Sequence, residues 1–205
     1  MSQDPRRIVE QGYDRIADRY AEAVRGGRGG ETYFRGFLDR VLARIPDDGL
    51  VLDLGCGAGL VAAELATRSR VVGVDVSMRQ LELARTHAPS VSLVRGDIAE
   101  IAFVPHAFDA VCAFWSLIHV RRDLQAGVFT RIHGWLRPGG LFAGTLGSGD
   151  NPSEHQEDFF GAPMYWSHHD AQTNRRLLRE AGFALLQADE IVDEGESPLW
   201  VLASA

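Results

Sequence analysis

From Leu50 to Gly147 the sequence alternates between short apolar runs and longer amphipathic ones. No other feature limits the fold as strongly. The runs LVLDLG, RVVGVDVS, VSLVRGD, FDAVCAFWSL and LFAGTLG are apolar along most of their length. That is the signature of strands covered on both faces, where neither face is given to water. Between them lie GLVAAELATRS, MRQLELARTHA and DLQAGVFTRIHGWLR. These read as helices, the last with Leu124, Val128, Ile132 and Leu136 on one stripe. Ser77 fits the N-cap of the second, with Gln80 at the capping-box position and Pro89 beyond its end. Regular strand–helix alternation predicts a largely parallel sheet with helices on both faces.

The flanks complete this plan. Two helices, about 5–24 and 31–44, precede the first strand. RGGRGG, Arg25–Gly30, links them, and its four glycines cost much entropy to order. Residues 147–170 read as a long loop, rich in polar residues and then aromatic ones. AQTNRRLLREAG follows as a helix, with Ser167 and Asp170 in its cap and Gly182 at C′. FALLQADEIVD and SPLWVLAS add two final strands. The expected fold is α/β, doubly wound, with a mostly parallel seven-stranded sheet and an N-terminal helical cap. It is read as one domain over residues 1–205: a cap at 1–45, a core at 50–146, a covering loop at 147–170, and a helix with two strands at 171–205.

Composition narrows the function. Twenty-eight acidic residues against 21 basic ones give a net charge of −7, which disfavours nucleic acid as a partner. Cys56 and Cys112 stand far apart with no metal-ligand spacing, and suit a reducing cytoplasm. The charged N-terminus is no secretory signal, and no apolar run is long enough to span a membrane. A cytoplasmic monomer or homodimer is expected.

Three strand ends carry the candidate chemistry. Gly55, Gly57 and Gly59 sit where the first strand meets its helix, but their G-x-G-x-G spacing is not that of a dinucleotide fingerprint. A bare loop there lets a ligand reach backbone N–H groups. Asp75 closes the next strand, 20 residues after Gly55, and a carboxylate so placed can accept both hydroxyls of a ribose. Asp97 follows the third strand and can accept from an exocyclic amine, as on adenine. Taken singly, the glycines could serve only as turns and Asp75 only as a helix cap. Together they outline an adenosine site.

At this point the chain resembles the class I S-adenosylmethionine-dependent methyltransferases of small-molecule type, with their Rossmann-like fold. VLDLGCGAGLVA, VVGVDVS, RGDIAEIAF, FDAVCAFWSLIHV and LRPGGLFAG carry the resemblance, in family order, within about residues 10–200. The resemblance implies S-adenosylmethionine as cofactor and a small-molecule methyl acceptor. It implies that Gly55, Cys56 and Gly57 approach the methionyl part and ribose, that Asp53 orders this loop, and that Asp75 binds the ribose. Val76 and Met78 would flank the adenine. Asp97 and the Ile98 N–H would bind it, and the Phe114 carbonyl would take the cofactor amine. Tyr13 and Tyr20 would close over the cofactor carboxylate.

Acceptor-side residues are sought past the fourth strand and in the covering loop. His119 is the first candidate for a catalytic role, with Trp115 and Ser116 as pocket walls. A histidine tied to backbone is the competing reading. In MYWSHHDA, Tyr165 and Trp166 either roof the pocket or pin the loop to the core, and His168 or His169 could face the acceptor. Adjacent histidines make poor joint metal ligands, so no metal is expected. Pro105–His106 and the EHQED stretch with His155 read as surface, and Phe159–Phe160 as an anchor for the loop. The favoured reading is in-line methyl transfer to a small molecule. The alternatives are a non-methylating, cyclase-like enzyme on the same cofactor, or a non-catalytic cofactor-binding module.

Overall fold

The computed structural model describes residues 4–25, 31–192 and 197–205. Gly26–Gly30 of the glycine-rich link lie outside the described residues. Helices α1 (Pro5–Arg25) and α2 (Glu31–Leu42) come first. Then β1 (Leu50–Leu54), α3 (Leu60–Leu65), β2 (Arg70–Asp75), α4 (Met78–His87), β3 (Ser92–Arg95), β4 (Phe108–Ala113), α5 (Arg122–Trp135) and β5 (Leu136–Leu146) alternate. A hairpin, β6 (Asn151–Phe159) and β7 (Ala162–His168), precedes α6 (Ala171–Glu180), β8 (Ala184–Glu190) and β9 (Leu199–Ser204).

The main sheet has seven strands in the order β3-β2-β1-β4-β5-β9-β8. The first five are parallel, and β9 runs antiparallel to both β5 and β8. This is the doubly wound architecture read from the sequence. Successive residues of a strand face opposite sides of the sheet. Leu52 and Leu54 therefore join Val128, Phe129 and Ile132 of α5 and Leu178 of α6 in one core. Val51 and Val71 join Phe37 and Val41 of α2 and Leu65 of α3 in the other. The chain reverses its direction of growth between β1 and β4, and in such sheets the crevice beyond the carboxyl ends of those strands takes ligands.

Three elements differ from the sequence reading. Residues 147–170 are not a loop: 151–168 fold as the β6–β7 hairpin, turned by Phe160 and Gly161, both in the left-handed region at φ 56° and 92°. Such two-residue turns match the twist of paired strands. The sequence hides this because β6, NPSEHQEDF, is mostly exposed and has no apolar alternation. Ser167 does not cap α6. That cap is Asp170, which accepts from the Thr173 N–H at 2.8 Å, while Ser167 lies in β7 and accepts from the Arg122 N–H at the start of α5. Leu136 leaves the α5 stripe to open β5, and Leu124 is 41% exposed.

α1 lies across the mouth of the crevice between the hairpin and the loops after β2 and β3. Gly12 allows the close approach, because a Cβ there would stand 2.7 Å from the Pro163 carbonyl. On another face, Arg6, Glu10, Asp14 and Asp18 repeat every four residues and so line up along the helix. Arg6 stands 3.3 Å from both Asp97 and Glu100, and Glu10 pairs with Arg95. Asp14 accepts from the Ser77 hydroxyl at 2.6 Å, and Asp18 meets Arg79 at 2.9 Å.

Gln125 of α5 ties the hairpin to the turn after β4. It is buried, and its Nε2 lies 2.8–3.0 Å from the carbonyl oxygens of Leu117, Val120 and Ser167. Gln125→Leu should remove this donor from all three carbonyls, of which Leu117 alone keeps a second one, the Val120 N–H at 3.1 Å, and cost about 2 kcal/mol. Urea unfolding of the two proteins measures the difference, and equal midpoints would show that the amide contributes nothing.

Candidate active site

β1 ends at Leu54, and three left-handed glycines follow at φ 74°, 52° and 81° for Gly55, Gly57 and Gly59. Side chains rarely tolerate that conformation, but space also matters, and differently at each. A Cβ on Gly55 would run into Ser116, and one on Gly59 would press on Ala84 of α4 at 2.9 Å. A Cβ on Gly57 would meet nothing nearer than Gln80 Oε1, at 3.8 Å. Gly57 is thus the glycine with open space in front of it. Gly55 and Gly59 serve packing within the chain.

The loop is hung from β2. The Gly55 and Cys56 N–H groups donate to the Val74 carbonyl at 2.8 and 2.9 Å. The Gly57 N–H donates to Asp75 Oδ2 at 2.8 Å, and Asp75 Oδ1 accepts from the Ser77 N–H at 2.9 Å. Asp75 therefore fixes the glycine loop and the start of α4 together. Burial raises its pKa to about 6, against the pull of the two donated N–H bonds. Asp53 is 2% exposed, and its Oδ2 has no hydrogen-bond partner among the described residues. Burial, with the Asp75 charge adding, raises its pKa to about 7.

Nothing in the sequence marks Gln80 as a site residue. It is 1% exposed, and neither its Oε1 nor its Nε2 has a partner among the described residues. The Ser77–Gln80 spacing suggests a reciprocal capping box, but only the Ser77 hydroxyl takes part, accepting from the Gln80 N–H at 3.1 Å. Buried polar atoms are normally paired. Asp53 and Gln80, both lining the cavity in front of Gly57, are the groups a polar ligand would satisfy. Asp97 stands at the far end, with Oδ1 accepting from the Ala99 N–H at 2.8 Å and Oδ2 facing Arg6.

Past β4 the chain turns sharply. Trp115 adopts φ 50°, and its N–H donates to Thr145 Oγ1 at 2.6 Å. A bulky residue in that region stores strain, which tends to gather at functional sites. The Ser116 hydroxyl donates to the Leu54 carbonyl at 2.7 Å, joining β1 to this turn. His119 closes it. Its Nδ1 is 2.8 Å from the Tyr165 carbonyl and its Nε2 is 2.9 Å from the Tyr13 hydroxyl. Burial lowers its pKa to about 4, so the ring is neutral at pH 7.

These groups line one cavity of about 1280 Å³. Of the residues expected in the site, Tyr13, Tyr20, Asp53, Gly55, Cys56, Gly57, Asp75, Val76, Asp97, Ile98, Phe114, Trp115, Ser116, His119 and Trp166 all border it. Four do not. Met78 lies outside it, 37% exposed. Tyr165 is buried, with its ring against His155 and its carbonyl on His119. His168 Nδ1 bonds the Gly149 carbonyl, and His169 Nε2 the Arg122 carbonyl. α2, part of the cap expected at 1–45, supplies a wall through Phe34, Leu38 and Leu42, which no sequence motif singles out. Among the described residues no cluster of His, Cys, Asp or Glu could hold a metal, and no helix is long and apolar enough to cross a membrane.

The raised carboxylates set a pH dependence. Between about pH 4 and about pH 7 the folded chain keeps protons on Asp53 and Asp75 that the unfolded chain has lost, so their contribution to stability falls as pH rises. His119 acts in the opposite sense below about pH 6.5, so a variant comparison isolates the carboxylate. The melting temperature of the natural chain relative to Asp53→Asn should fall from about pH 5 to about pH 8. A constant difference would mean that Asp53 titrates as an ordinary exposed carboxylate.

Comparison with known proteins places this geometry. Residues 51–140 match the family model described as "Methyltransferase domain". The sterol 24-C-methyltransferase of Saccharomyces cerevisiae is 30% identical over 170 residues, 74% of this chain and 43% of that protein. The ubiquinone biosynthesis O-methyltransferase of Methylocella silvestris is 43% identical over 116 residues, 53% of this chain and 44% of that protein. The chain thus spans less than half the length of these relatives. The solved DhpI–SAH complex superposes with a TM-score of 0.80 at 18% identity, covering 99% of this chain and 98% of that one. The fold is that of the class I S-adenosylmethionine-dependent methyltransferases, and the stretch that matches the methyltransferase-domain model is residues 51–140.

Proposed function

We propose that the chain is an S-adenosylmethionine-dependent methyltransferase that acts on a small-molecule acceptor. One observation carries the reading. The open face of Gly57, the unpartnered Asp53 Oδ2 and the unpartnered Gln80 amide meet in a single cavity, which continues past Trp115 and His119. A ligand with a diol, an ammonium group and a flat base satisfies these groups, and space remains beside it for a second molecule.

Asp75 and Gln80 would hold the ribose, Asp97 and the Ile98 N–H the adenine, with Val76 alongside. Asp53, Gly55, Cys56 and the Phe114 carbonyl would surround the amino-acid part. When bound, S-adenosylmethionine supplies a methyl group on a sulfonium, and the electron pair of the broken C–S bond returns to sulfur. The leaving group is already good, so the protein's share is alignment and the exclusion of water. α1 and the hairpin exclude water here: Tyr13 and Tyr20 from one, Phe159 and Trp166 from the other, close over the crevice. Trp115 and Ser116 line the same cavity and would orient the acceptor. The acidic surface, the sterol and quinone-precursor methyltransferases among the relatives, and the enclosed cavity all favour a small acceptor.

Calorimetry tests the reading. S-adenosylmethionine and S-adenosylhomocysteine should both bind, NAD should be silent, and an acceptor screen should release S-adenosylhomocysteine. Binding of NAD alone would overturn it, and tight cofactor binding with no release from any acceptor would point to the cyclase-like or non-catalytic alternatives. Asp75→Ala should weaken S-adenosylhomocysteine at least about tenfold, which is about 1.4 kcal/mol. Unchanged affinity would remove Asp75 from the site.

A further inference from the structure

Asp97 and Ile98, the groups proposed for the adenine, stand on a turn at 96–101 that belongs to no helix or strand. Within the turn, the Glu100 and Ile101 N–H groups donate to the Asp97 carbonyl at 3.0 and 2.8 Å. The Ala99 N–H donates to Asp97 Oδ1 at 2.8 Å. The Ile98 N–H has no partner among the described residues. Arginines from two helices grip this turn. Arg6 of α1 stands 3.3 Å from Asp97 Oδ2, but its side chain is 46% exposed, and ion pairs of that kind contribute little. Arg131 of α5 takes hold of the backbone instead.

Arg131 Nη2 donates to the Ala99 carbonyl at 2.7 Å and to the Ile98 carbonyl at 3.3 Å. Bonds from a charged donor are the stronger kind. The peptide unit between Ile98 and Ala99 is a rigid plane. Its carbonyl end takes the Arg131 bond and its N–H end holds Asp97 Oδ1, so the guanidinium acts on the carboxylate through one peptide unit. Arg131 itself does not border the cavity, whereas residues 96–100 do. Its Nε is buried without a partner among the described residues, which is a cost. An apolar side chain would fill the same space without that cost. What the guanidinium adds is its hold on the two carbonyls.

We propose that Arg131 is the positioning residue of base recognition: from α5 it fixes the direction of the Asp97 carboxylate and of the Ile98 N–H, and so makes the site selective for a 6-aminopurine. This rests on the methyltransferase reading, in which that purine is the adenine of S-adenosylmethionine. A carboxylate only accepts and a backbone N–H only donates. Adenine offers the complement, an amine at C6 and a bare N1. Hypoxanthine offers the reverse, an oxygen at C6 and a hydrogen on N1. Against a rigid turn both of its pairings fail. A turn released from Arg131 can rotate its peptide planes away from the mismatch, so the penalty against hypoxanthine shrinks while the match to adenine loosens.

Calorimetry of the full chain with two probes, S-adenosylhomocysteine and S-inosylhomocysteine, tests this. The natural chain should prefer the adenosyl compound by about a hundredfold or more. Arg131→Met keeps the length of the stem and removes the donors, and the preference should fall about tenfold. An unchanged preference, or equal weakening of both probes, would overturn the proposal, because an arginine that only supports the fold weakens both alike. Amide hydrogen exchange of the unliganded protein gives a second readout. The Glu100 and Ile101 amides should exchange about tenfold faster in Arg131→Met, with the Leu52 amide of β1 changing far less. Equal acceleration at all three would mean a general loss of stability and would overturn the local hold. Should Arg131→Met not fold, Arg131→Lys carries the same comparison. An ammonium is a point donor without the guanidinium's planar fork, so the preference should fall about threefold or more, and a preference equal to that of the natural chain would overturn the proposal. Failure of the natural chain to bind S-adenosylhomocysteine would remove the methyltransferase reading itself, whereas binding with an unmoved preference removes only the role of Arg131.

Discussion

One buried carboxylate holds the crevice in shape. Asp75 takes the Gly57 N–H on one oxygen and the Ser77 N–H on the other. The glycine loop after β1 and the first turn of α4 after β2 are thereby fixed to each other at the ends of neighbouring strands. Ser77 passes the constraint on, since its hydroxyl both accepts from the Gln80 N–H and donates to Asp14 of α1. A chain of hydrogen bonds thus runs from the glycine loop through Asp75 and Ser77 to the helix that covers the cavity. Charged and charge-assisted bonds of this kind are the stronger ones, and burial raises the cost of leaving any of them unmade.

The covering layer is held differently. α1 rests on the hairpin through an apolar contact, with Ile8, Val9 and Ile16 against Ala162 and Met164. Its opposite flank is held by Arg6, Glu10, Asp14 and Asp18, whose partners are Ser77 and Arg79 at the start of α4, Arg95 at the end of β3, and Asp97 and Glu100 beyond it. Exposed ion pairs contribute little each. The helix therefore owes its seat chiefly to the hairpin, and the acidic and basic pairs set its register along the crevice.

Much of this was legible in the sequence, for physical reasons that can be named. Strands covered on both faces must be apolar throughout, so LVLDLG and FDAVCAFWSL declare themselves. Gly55, Gly57 and Gly59 mark a left-handed loop because few other residues adopt it at low cost, and Asp75 follows at the end of the next strand. What stayed hidden depends on contacts between distant segments. β6 shows no alternation because neither of its faces enters the core, so 151–159 reads as a loop. The clash that requires Gly55 is with Ser116, which no local pattern reveals. His168 and His169 look reactive in the sequence, but their ring nitrogens bond backbone carbonyls of Gly149 and Arg122. Gln80 looks like half of a capping box, and only the lack of a side-chain partner among the described residues marks it as a candidate site group.

The two halves of the cavity are encoded in separate stretches of the chain. Every strand-end group proposed for the adenosine side, from Asp53 to Phe114, lies within residues 51–140, the segment that matches the family model. The acceptor side takes Trp115, Ser116 and His119 from that segment, but its roof comes from α1, α2 and the hairpin, all outside it. These outer pieces contribute no strand to the central sheet. Changes in them can reshape what is admitted while the glycine loop and its carboxylates stay as they are. On the proposed reading, the groups that hold the cofactor and those that roof the acceptor belong to different parts of one polypeptide.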